Sequence, residues 1–309
     1  MTSAVALDIS TATELLQAWL ADLAQTHGLA VLFIKGKSGS FHGLRPSRVS
    51  SDIDVLVHPD EFQVWEDLLA GNGWQERAAT AGQDLYVTHS VSYLHPSWPL
   101  DIDLHRNFPG FLADPSTTFQ ALYEKRCTLR VAGVDTSITD KVSTLAILAL
   151  HSLRSRDDAG RHSSELAYLL ENADLTPTER DDLGSFAMIT GCDRTLDDVL
   201  AHLGITRPAG ISKGSEASLR EWRLRVASGA STGYMWWLML RRQKGLGRIR
   251  LFRDAVWPDR ADLLQMRPGI DDSPAGRARA RLNRLRSGFP GAMRALFFRL
   301  GHPHRKKDG

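Results

Sequence analysis

The first half of the chain shows two different periods of apolar and polar residues. Leucine and tryptophan recur at helical spacing over residues 10–26, which predicts an amphipathic helix capped by Thr11 or Thr13. Several shorter apolar runs, bounded by Gly, Pro, Ser or Asn, have the length and composition of strands. We predict strands at residues 29–34, 51–57, 74–77, 84–89, 91–95 and 100–105, with a helix at about 60–70 and a Gly/Ser/Arg-rich loop at 37–50.

The pattern changes after Pro109-Gly110, where helical spacing becomes dominant. The predicted elements are a hairpin at 129–137 and helices at about 139–154, 162–172, 177–190, 194–203, 215–227, 232–242, 246–256 and 275–299, with a basic tail at 302–309. The sequence therefore predicts an α+β first domain, residues 1–112, and a mainly helical second domain, residues 113–309. A small mixed sheet with helices covering one face and an open acidic face suits the first domain.

Two of the predicted strands carry paired carboxylates. Asp52 and Asp54 alternate with apolar residues on the first, and Asp101 and Asp103 repeat the arrangement on the second. Because side chains alternate along a strand, each pair projects from one face of its strand. Two carboxylates about 4 Å apart repel by roughly 1–4 kcal/mol, and a fold tolerates such a cluster if a divalent cation offsets the repulsion. We predict a carboxylate site for Mg²⁺.

Composition restricts the class of protein. The chain has 309 residues, 42% hydrophobic and 24% charged, which is ordinary for a globular protein. No apolar run reaches the roughly 20 residues of a membrane span, and no signal-peptide pattern is present at the N-terminus. Cys127 and Cys192 are the only cysteines, too few for a disulfide framework. We therefore expect a protein of the reducing cytoplasm.

The charge is distributed unevenly. Residues 1–212 contain 16 Lys/Arg against 28 Asp/Glu, a net charge of −12, whereas residues 213–309 contain 22 against 8, a net charge of +14. The basic half suits an acidic or phosphate-rich partner, such as nucleic acid, a peptide or a membrane surface. The alternative is that its charges lie on solvated helix faces. The apolar segment at 234–240 is predicted to pack in a core, with contact to a membrane surface or an acidic partner as the alternative.

The acidic strands and the turn before them resemble the nucleotidyltransferase superfamily that includes DNA polymerase β and the aminoglycoside nucleotidyltransferases. Within it, the chain is most similar to the family of "uncharacterised nucleotidyltransferases" found in many bacteria. The residues that carry the resemblance are Lys35-Gly36, Arg48, Asp52-Ile53-Asp54-Val55-Leu56-Val57 and Ile102-Asp103-Leu104-His105. The motif-specific part covers about the first hundred residues, and the turn departs from a plain Gly-Ser.

The resemblance implies a polymerase-β-like catalytic domain and a specific reaction. Asp52, Asp54 and Asp103 would be the catalytic residues and would hold two Mg²⁺ ions, or Mn²⁺. A nucleoside monophosphate, most simply AMP from ATP, would pass to a hydroxyl of a small molecule, peptide or protein, with release of pyrophosphate. The predicted nucleotide-binding residues are Lys35, Gly36, Lys37, Ser38, Arg48 and Ser51. Members of the family often accompany natural-product genes, which suggests a specialised metabolite or peptide as acceptor.

Other interpretations of single residues stay open. Asp101 is the rival of Asp103 as third acid, and Asp103 is preferred because Leu104-His105 follows it. Lys35 and Arg48 are alternatively surface residues. For His105, a structural hydrogen bond at the strand end is preferred to a role near the metals.

Two other classes of function are weighed against the transferase of small acceptors. One is a toxin-type transferase acting on tRNA, supported by the basic second half. The other is a catalytically silent nucleotide-binding module, which the intact set of acids disfavours. A P-loop is excluded, because GxxxxGK[ST] would need glycine where Val31 stands.

Overall fold

The structure is a computed structural model that describes residues 7–77, 89–154, 160–227, 240, 243–260, 263–264, 270–283 and 285–286. The chain divides into two compact units. The first contains Met1–Arg77, His89–Leu153 and Asp157–Leu219, and the second contains Ala78–Thr88, Arg154–Arg156 and Arg220–Gly309. Along the described ranges, no helix is both long and apolar enough to cross a bilayer.

The first unit contains a seven-stranded mixed sheet. Its strands are β1 Val31–Phe33, β2 Asp52–Val57, β3 Gln75–Glu76, β4 Ser90–Leu94, β5 Asp101–His105, β6 Cys127–Val131 and β7 Val134–Ile138. The order across the sheet is β3-β4-β5-β2-β1-β7-β6. The β2–β5 and β1–β7 pairs are parallel and the others are antiparallel. The predicted α+β class and mixed sheet are confirmed.

Helices precede, interrupt and follow the strands. In the first unit they are α1 Ile9–His27, α2 Gly36–Phe41, α3 Phe62–Gly71 after a 3-10 turn at Pro59–Glu61, α4 Pro115–Glu124, α5 Lys141–Arg154, α6 Arg161–Glu171, α7 Pro177–Thr190 and α8 Asp197–His202. Two more are α9 Glu216–Ala227 and α10 Gly245–Val256. Residues 274–283 are also helical. Apart from residues 89 and 240, the predicted strand at 84–89 and helix at 232–242 lie outside the described residues. The part of the last predicted helix beyond residue 286 and the tail also lie outside them.

One face of the sheet is covered by α1 and α3. The alternate residues Ile53, Val55 and Val57 of β2 pack in the same core as Leu16 of α1 and Trp65 of α3. Burying such side chains contributes roughly 1.5–3 kcal/mol each. Because successive side chains of a strand point to opposite faces, this packing sends the acids of β2 to the other face.

The predicted cap of α1 is wrong. Asp8 caps the helix, and its Oδ2 accepts a hydrogen bond from the Thr11 amide at 3.1 Å. Asp8 lies before the apolar periodicity on which the prediction was based. Gly28 ends the helix in the left-handed conformation, at φ +66°, which glycine adopts without steric cost.

Residues after 112 complete the sheet and add a helix that the sequence pattern did not predict. The hairpin of β6 and β7 lies where it was predicted, and β7 pairs with β1 through Phe33 and Ile138. Helix α4 was missed. Its start does carry a signal, since Asp114 accepts the Ser116 amide hydrogen at 2.9 Å and Pro115 occupies the first turn.

Candidate active site

The two acidic strands are neighbours in the sheet and run parallel. Asp52 lies opposite Asp101, and Asp54 lies opposite Asp103. Residues directly opposite each other on neighbouring strands point to the same side of the sheet. The four carboxylates therefore share one face, the face turned away from α1 and α3. The convergence predicted from the two motifs is therefore present in the structure.

Asp54 lies at the centre of the cluster. Its side chain is 9% exposed, and its Oδ1 accepts a hydrogen bond from His105 Nε2 at 3.0 Å and forms an ion pair with Lys35 Nζ. Burial alone would raise the pKa of Asp54, but the Lys35 ammonium and the His105 hydrogen bond outweigh it and hold the pKa of that carboxyl well below its ordinary value. Asp54 is therefore ionised at neutral pH.

Asp103 has a different environment. Its Oδ1 accepts a hydrogen bond from Ser92, which lies opposite it on β4. Burial raises the pKa of Asp103, the negative charge of Asp54 adds to the effect, and the Ser92 hydrogen bond opposes it. Neighbouring carboxylates whose pKa values are displaced in opposite directions are a feature of acid–base sites.

His105 lies beside both acids and is hydrogen-bonded to Asp54. Burial lowers the pKa of His105 despite the hydrogen bond to Asp54, so the imidazole is neutral and donates from Nε2. Its Nδ1 is buried and has no hydrogen-bond partner among the described residues. Ligand atoms of Asp54, Asp103 and His105 all lie within 4.8 Å of one another.

The other two acids lie at the rim of this cluster. Asp52 accepts a hydrogen bond from Ser50 Oγ at 2.6 Å. Asp101, the rival third acid, instead forms an ion pair with Arg77, whose side chain is half exposed. Asp101 is thus occupied by a surface cation, while Asp103 is part of the buried cluster.

A cleft of about 350 Å³ opens where β1 ends and β2 begins. Asp52 and Asp54 lie on its wall, and α1 contributes Glu14 and Gln17, which the sequence analysis did not select. Of the six predicted nucleotide-binding residues, the cleft is lined by Gly36, Lys37, Ser38 and Arg48. Lys35 pairs with Asp54 instead, and Ser50 rather than Ser51 lines the wall.

Two of the predicted nucleotide-binding residues are already paired with protein groups. Lys37 Nζ lies 2.7 Å from Glu14 Oε1 in an exposed ion pair. Ser38 is buried, and its hydroxyl donates to the Phe33 carbonyl at 2.8 Å, which fixes the turn between β1 and α2. A ligand entering the cleft would therefore have to exchange some of these contacts for its own.

Glu165 of α6 is a further residue that sequence reasoning missed. Its Oε1 accepts hydrogen bonds from Arg48 Nη1 at 2.6 Å and Arg161 Nε at 2.9 Å, and lies 3.9 Å from Arg45 Nη2. Glu165 therefore holds Arg48 at the mouth of the cleft. No local sequence signal links the two, because they are 117 positions apart.

Glu165 also belongs to a second group of potential metal ligands, with His151 and His162. Its Oε2 lies 3.6 Å from His162 Nδ1. Three guanidinium groups already surround this single carboxylate, so the local charge disfavours another cation. The site at Asp54 differs, because there the carboxylates outnumber the positive charges.

Comparisons with known proteins bear on the fold. Scans against protein-family models and against curated proteins give no match. Among solved structures, a nucleotidyltransferase-like antigenic protein from Paracoccidioides brasiliensis shares 12% identity, with a TM-score of 0.40 over 65% of this chain and 95% of that one. The antibiotic-resistance factor ANT(2'')-Ia shares 12%, with a TM-score of 0.41 over 64% and 98% of the two chains. The lincomycin-bound lincosamide adenylyltransferase LnuA shares 15%, with a TM-score of 0.31 over 58% and 97%.

One of these structures is a nucleotidyltransferase-like protein and one is an adenylyltransferase. The likeness to this chain is distant. At such identities and TM-scores it carries no conclusion about what this chain does.

Proposed function

We propose that this chain is a metal-dependent nucleotidyltransferase of the bacterial family that its motifs resemble. The observation that carries the proposal is the pairing of Asp52 and Asp54 with Asp101 and Asp103 on adjacent parallel strands, beside a polar cleft. The reaction transfers AMP from ATP to a hydroxyl of a small molecule, peptide or protein and releases pyrophosphate. A specialised metabolite or modified peptide is the proposed acceptor.

The donor set fits divalent metal ions. Asp54 and Asp103 supply carboxylate oxygens within 4.8 Å of one another, and Asp52 adds a carboxylate on the cleft wall beside them. Mg²⁺ and Mn²⁺ prefer such oxygens, and the charge of Lys35 leaves the combined charge of the three acids negative. Mg²⁺ held by these acids, as two ions, would bind the phosphates and stabilise the charge that develops on the leaving pyrophosphate. The neutral His105 orients Asp54 through its Nε2 hydrogen bond.

Asp103 is the proposed base for the acceptor hydroxyl. The support is its position, because Asp103 lies opposite Asp54 in the sheet and ligand atoms of the two acids are within 4.8 Å of one another. Ser92 donates a hydrogen bond to one oxygen of the Asp103 carboxylate. Asp101 is a neighbour on the same face and is proposed to have no direct role in proton transfer.

The cleft is the proposed nucleotide site. Its volume of about 350 Å³ lies within the range of about 300–1,000 Å³ usual for small-molecule sites. Lys37 and Arg48 would contact the triphosphate by charge-assisted hydrogen bonds, with Gly36 and Ser38 lining the same wall.

Pyrophosphate release tests this proposal. We expect release when the protein is incubated with labelled NTPs, Mg²⁺ and a panel of hydroxyl-bearing acceptors, and no release by Asp54→Ala. Asp60→Ala, which removes an exposed carboxylate, serves as control. In a thermal-shift screen, the preferred NTP at about 100 times its dissociation constant should stabilise by about 2.7 kcal/mol, and only with Mg²⁺. Equal binding of Mg²⁺-NTP by wild type and Asp54→Ala would refute the metal assignment.

We also propose an acidic or phosphate-rich partner for the basic second half. Helix α10 supports this, because Arg248, Arg250 and Arg253 are all exposed on it. If RNA is the partner, its affinity should fall steeply with salt concentration. A reducing cytoplasmic setting is part of the proposal, and is supported by Cys127 and Cys192 both being free thiols.

A further inference from the structure

Lys35 is a buried cation within the carboxylate cluster. Its side chain is 9% exposed, its Nζ pairs with Asp54 Oδ1, and Nζ lies 5.8 Å from the centroid of the Phe108 ring. A buried ammonium is costly unless it is paired. The contact with Asp54 therefore pairs this buried side chain with an opposite charge.

The backbone at Lys35 is strained. Its φ of +62° and ψ of −124° are rarely adopted by a residue with a side chain. Glycine would adopt this conformation without penalty, and the next residue, Gly36, has no such φ. The chain thus tolerates backbone strain at Lys35, the position from which the lysine side chain reaches Asp54.

The position of the ammonium matters for cation binding. Lys35 Nζ contacts the same Oδ1 of Asp54 that His105 contacts, among acids whose ligand atoms converge within 4.8 Å. A lysine ammonium carries one charge and a flexible stem of four carbons, so it can move to a neighbouring anion. Phosphates bound in the adjacent cleft would be such anions.

We propose that Lys35 is the built-in counter-ion of the metal site. In the metal-free protein its ammonium neutralises Asp54, and when a divalent cation and a nucleotide bind, it exchanges the carboxylate for a phosphate. The inference rests on the proposed function, since it assumes that the same carboxylates bind metal. It predicts that removing the charge of Lys35 strengthens metal binding, because a counter-ion competes with the metal. A lysine that contacted only phosphate would not have this effect.

Titration with Mn²⁺ in the absence of nucleotide, followed by the electron paramagnetic resonance of free Mn²⁺, measures this competition. We expect Lys35→Met to bind Mn²⁺ about tenfold more tightly than wild type, because a competing positive charge is removed. Lys35→Arg keeps the charge and should bind Mn²⁺ nearly as wild type does. Lys125→Met, which removes a lysine paired with Asp182 at 3.5 Å on another part of the sheet unit, should change nothing.

Lys35→Gly provides a second variant that removes the charge and also relieves the backbone strain, so the test does not depend on the folding of Lys35→Met. It too should bind Mn²⁺ more tightly than wild type. Unchanged or weaker Mn²⁺ binding by the charge-free variants, while wild type binds Mn²⁺, would overturn the counter-ion role.

The two proposals fail in different ways. If wild type releases pyrophosphate and the charge-free variants show unchanged Mn²⁺ affinity, the counter-ion inference falls alone. If those variants bind Mn²⁺ more tightly and wild type transfers no nucleotide, the inference stands and the transferase proposal falls. If no protein binds Mn²⁺, both are wrong.

Discussion

Replacing Asp103 by Asn should stabilise the metal-free protein. The substitution removes a charge that lies within 4.8 Å of the Asp54 carboxylate, and the amide oxygen of Asn can still accept the Ser92 hydrogen bond. At an effective dielectric constant of about 20, two unit charges at that distance repel by about 3.5 kcal/mol. Lys35 cancels part of this repulsion, so we expect a net gain of about 1–2 kcal/mol for Asp103→Asn.

Thermal unfolding with EDTA and with excess Mg²⁺ measures the effect. One kcal/mol shifts the Tm of a domain of roughly 150–250 residues by about 2–4 °C, so Asp103→Asn should melt about 2–8 °C higher than wild type in EDTA. Mg²⁺ should reverse the order, because it stabilises the three-acid site and binds the variant weakly. Asp101→Asn is the matched control, since it lies two residues away on the same face and loses only an exposed ion pair.

The stability gained by Asp103→Asn should depend on pH in a defined direction. The raised pKa of Asp103 means that the folded state holds this proton more tightly than the unfolded state. Because the ionised carboxyl is unfavourable in the folded state, the stability of the wild type falls as pH rises from about 3.9, the ordinary pKa of Asp, to the folded-state pKa of Asp103. The advantage of Asp103→Asn should disappear below that window. A variant less stable than wild type in EDTA at neutral pH would refute the reasoning.

Three further predictions concern other parts of the first unit. Glu165→Gln should weaken Mg²⁺-NTP binding roughly threefold to tenfold, because Arg48 loses its anchor at the cleft; isothermal titration measures this. Gly191→Ala should destabilise by about 1–3 kcal/mol more than Gly28→Ala in urea unfolding, because an added Cβ at Gly191 would lie 2.5 Å from a backbone oxygen whereas Gly28 faces open space. Burial raises the pKa of Cys192 to about 12, so its thiol should react with Ellman's reagent only after unfolding.

Each has a control. Glu171→Gln, on the same helix as Glu165, should leave nucleotide affinity unchanged, and an equal loss in both variants would remove the positioning role. Equal costs for the two glycine substitutions would show that the neighbouring backbone moves freely. Rapid reaction of a second thiol in the native protein, besides the partly exposed Cys127, would contradict the buried position of Cys192.

The sequence predicted the acidic strands well for a physical reason. A period of two in a half-buried strand determines which residues share a face, so the residue spacing alone places Asp52 and Asp54 on the same side of β2. The choice of Asp103 over Asp101 followed from Leu104-His105, which completes the motif of the resemblance. Only the structure shows that Asp103 lies directly opposite Asp54 on the neighbouring parallel strand.

Long-range partners could not be predicted. Glu165 reaches Arg48 across 117 positions, and Ser92 reaches Asp103 through a strand pairing that no local pattern specifies. Lys35 was assigned to phosphate because it precedes a glycine turn. Its positive φ, at the position from which its side chain reaches Asp54, is one that no spacing of residues indicates for a lysine. Such contacts depend on tertiary packing, which overrides local preference.

The most direct test of the account is anomalous diffraction from crystals grown with Mn²⁺ and a non-hydrolysable ATP analogue. The account predicts Mn²⁺ peaks within about 2.0–2.3 Å of carboxylate oxygens of Asp52, Asp54 and Asp103, with the triphosphate in the adjacent cleft. Mn²⁺ and nucleotide bound elsewhere, with the Lys35–Asp54 ion pair intact, would contradict it.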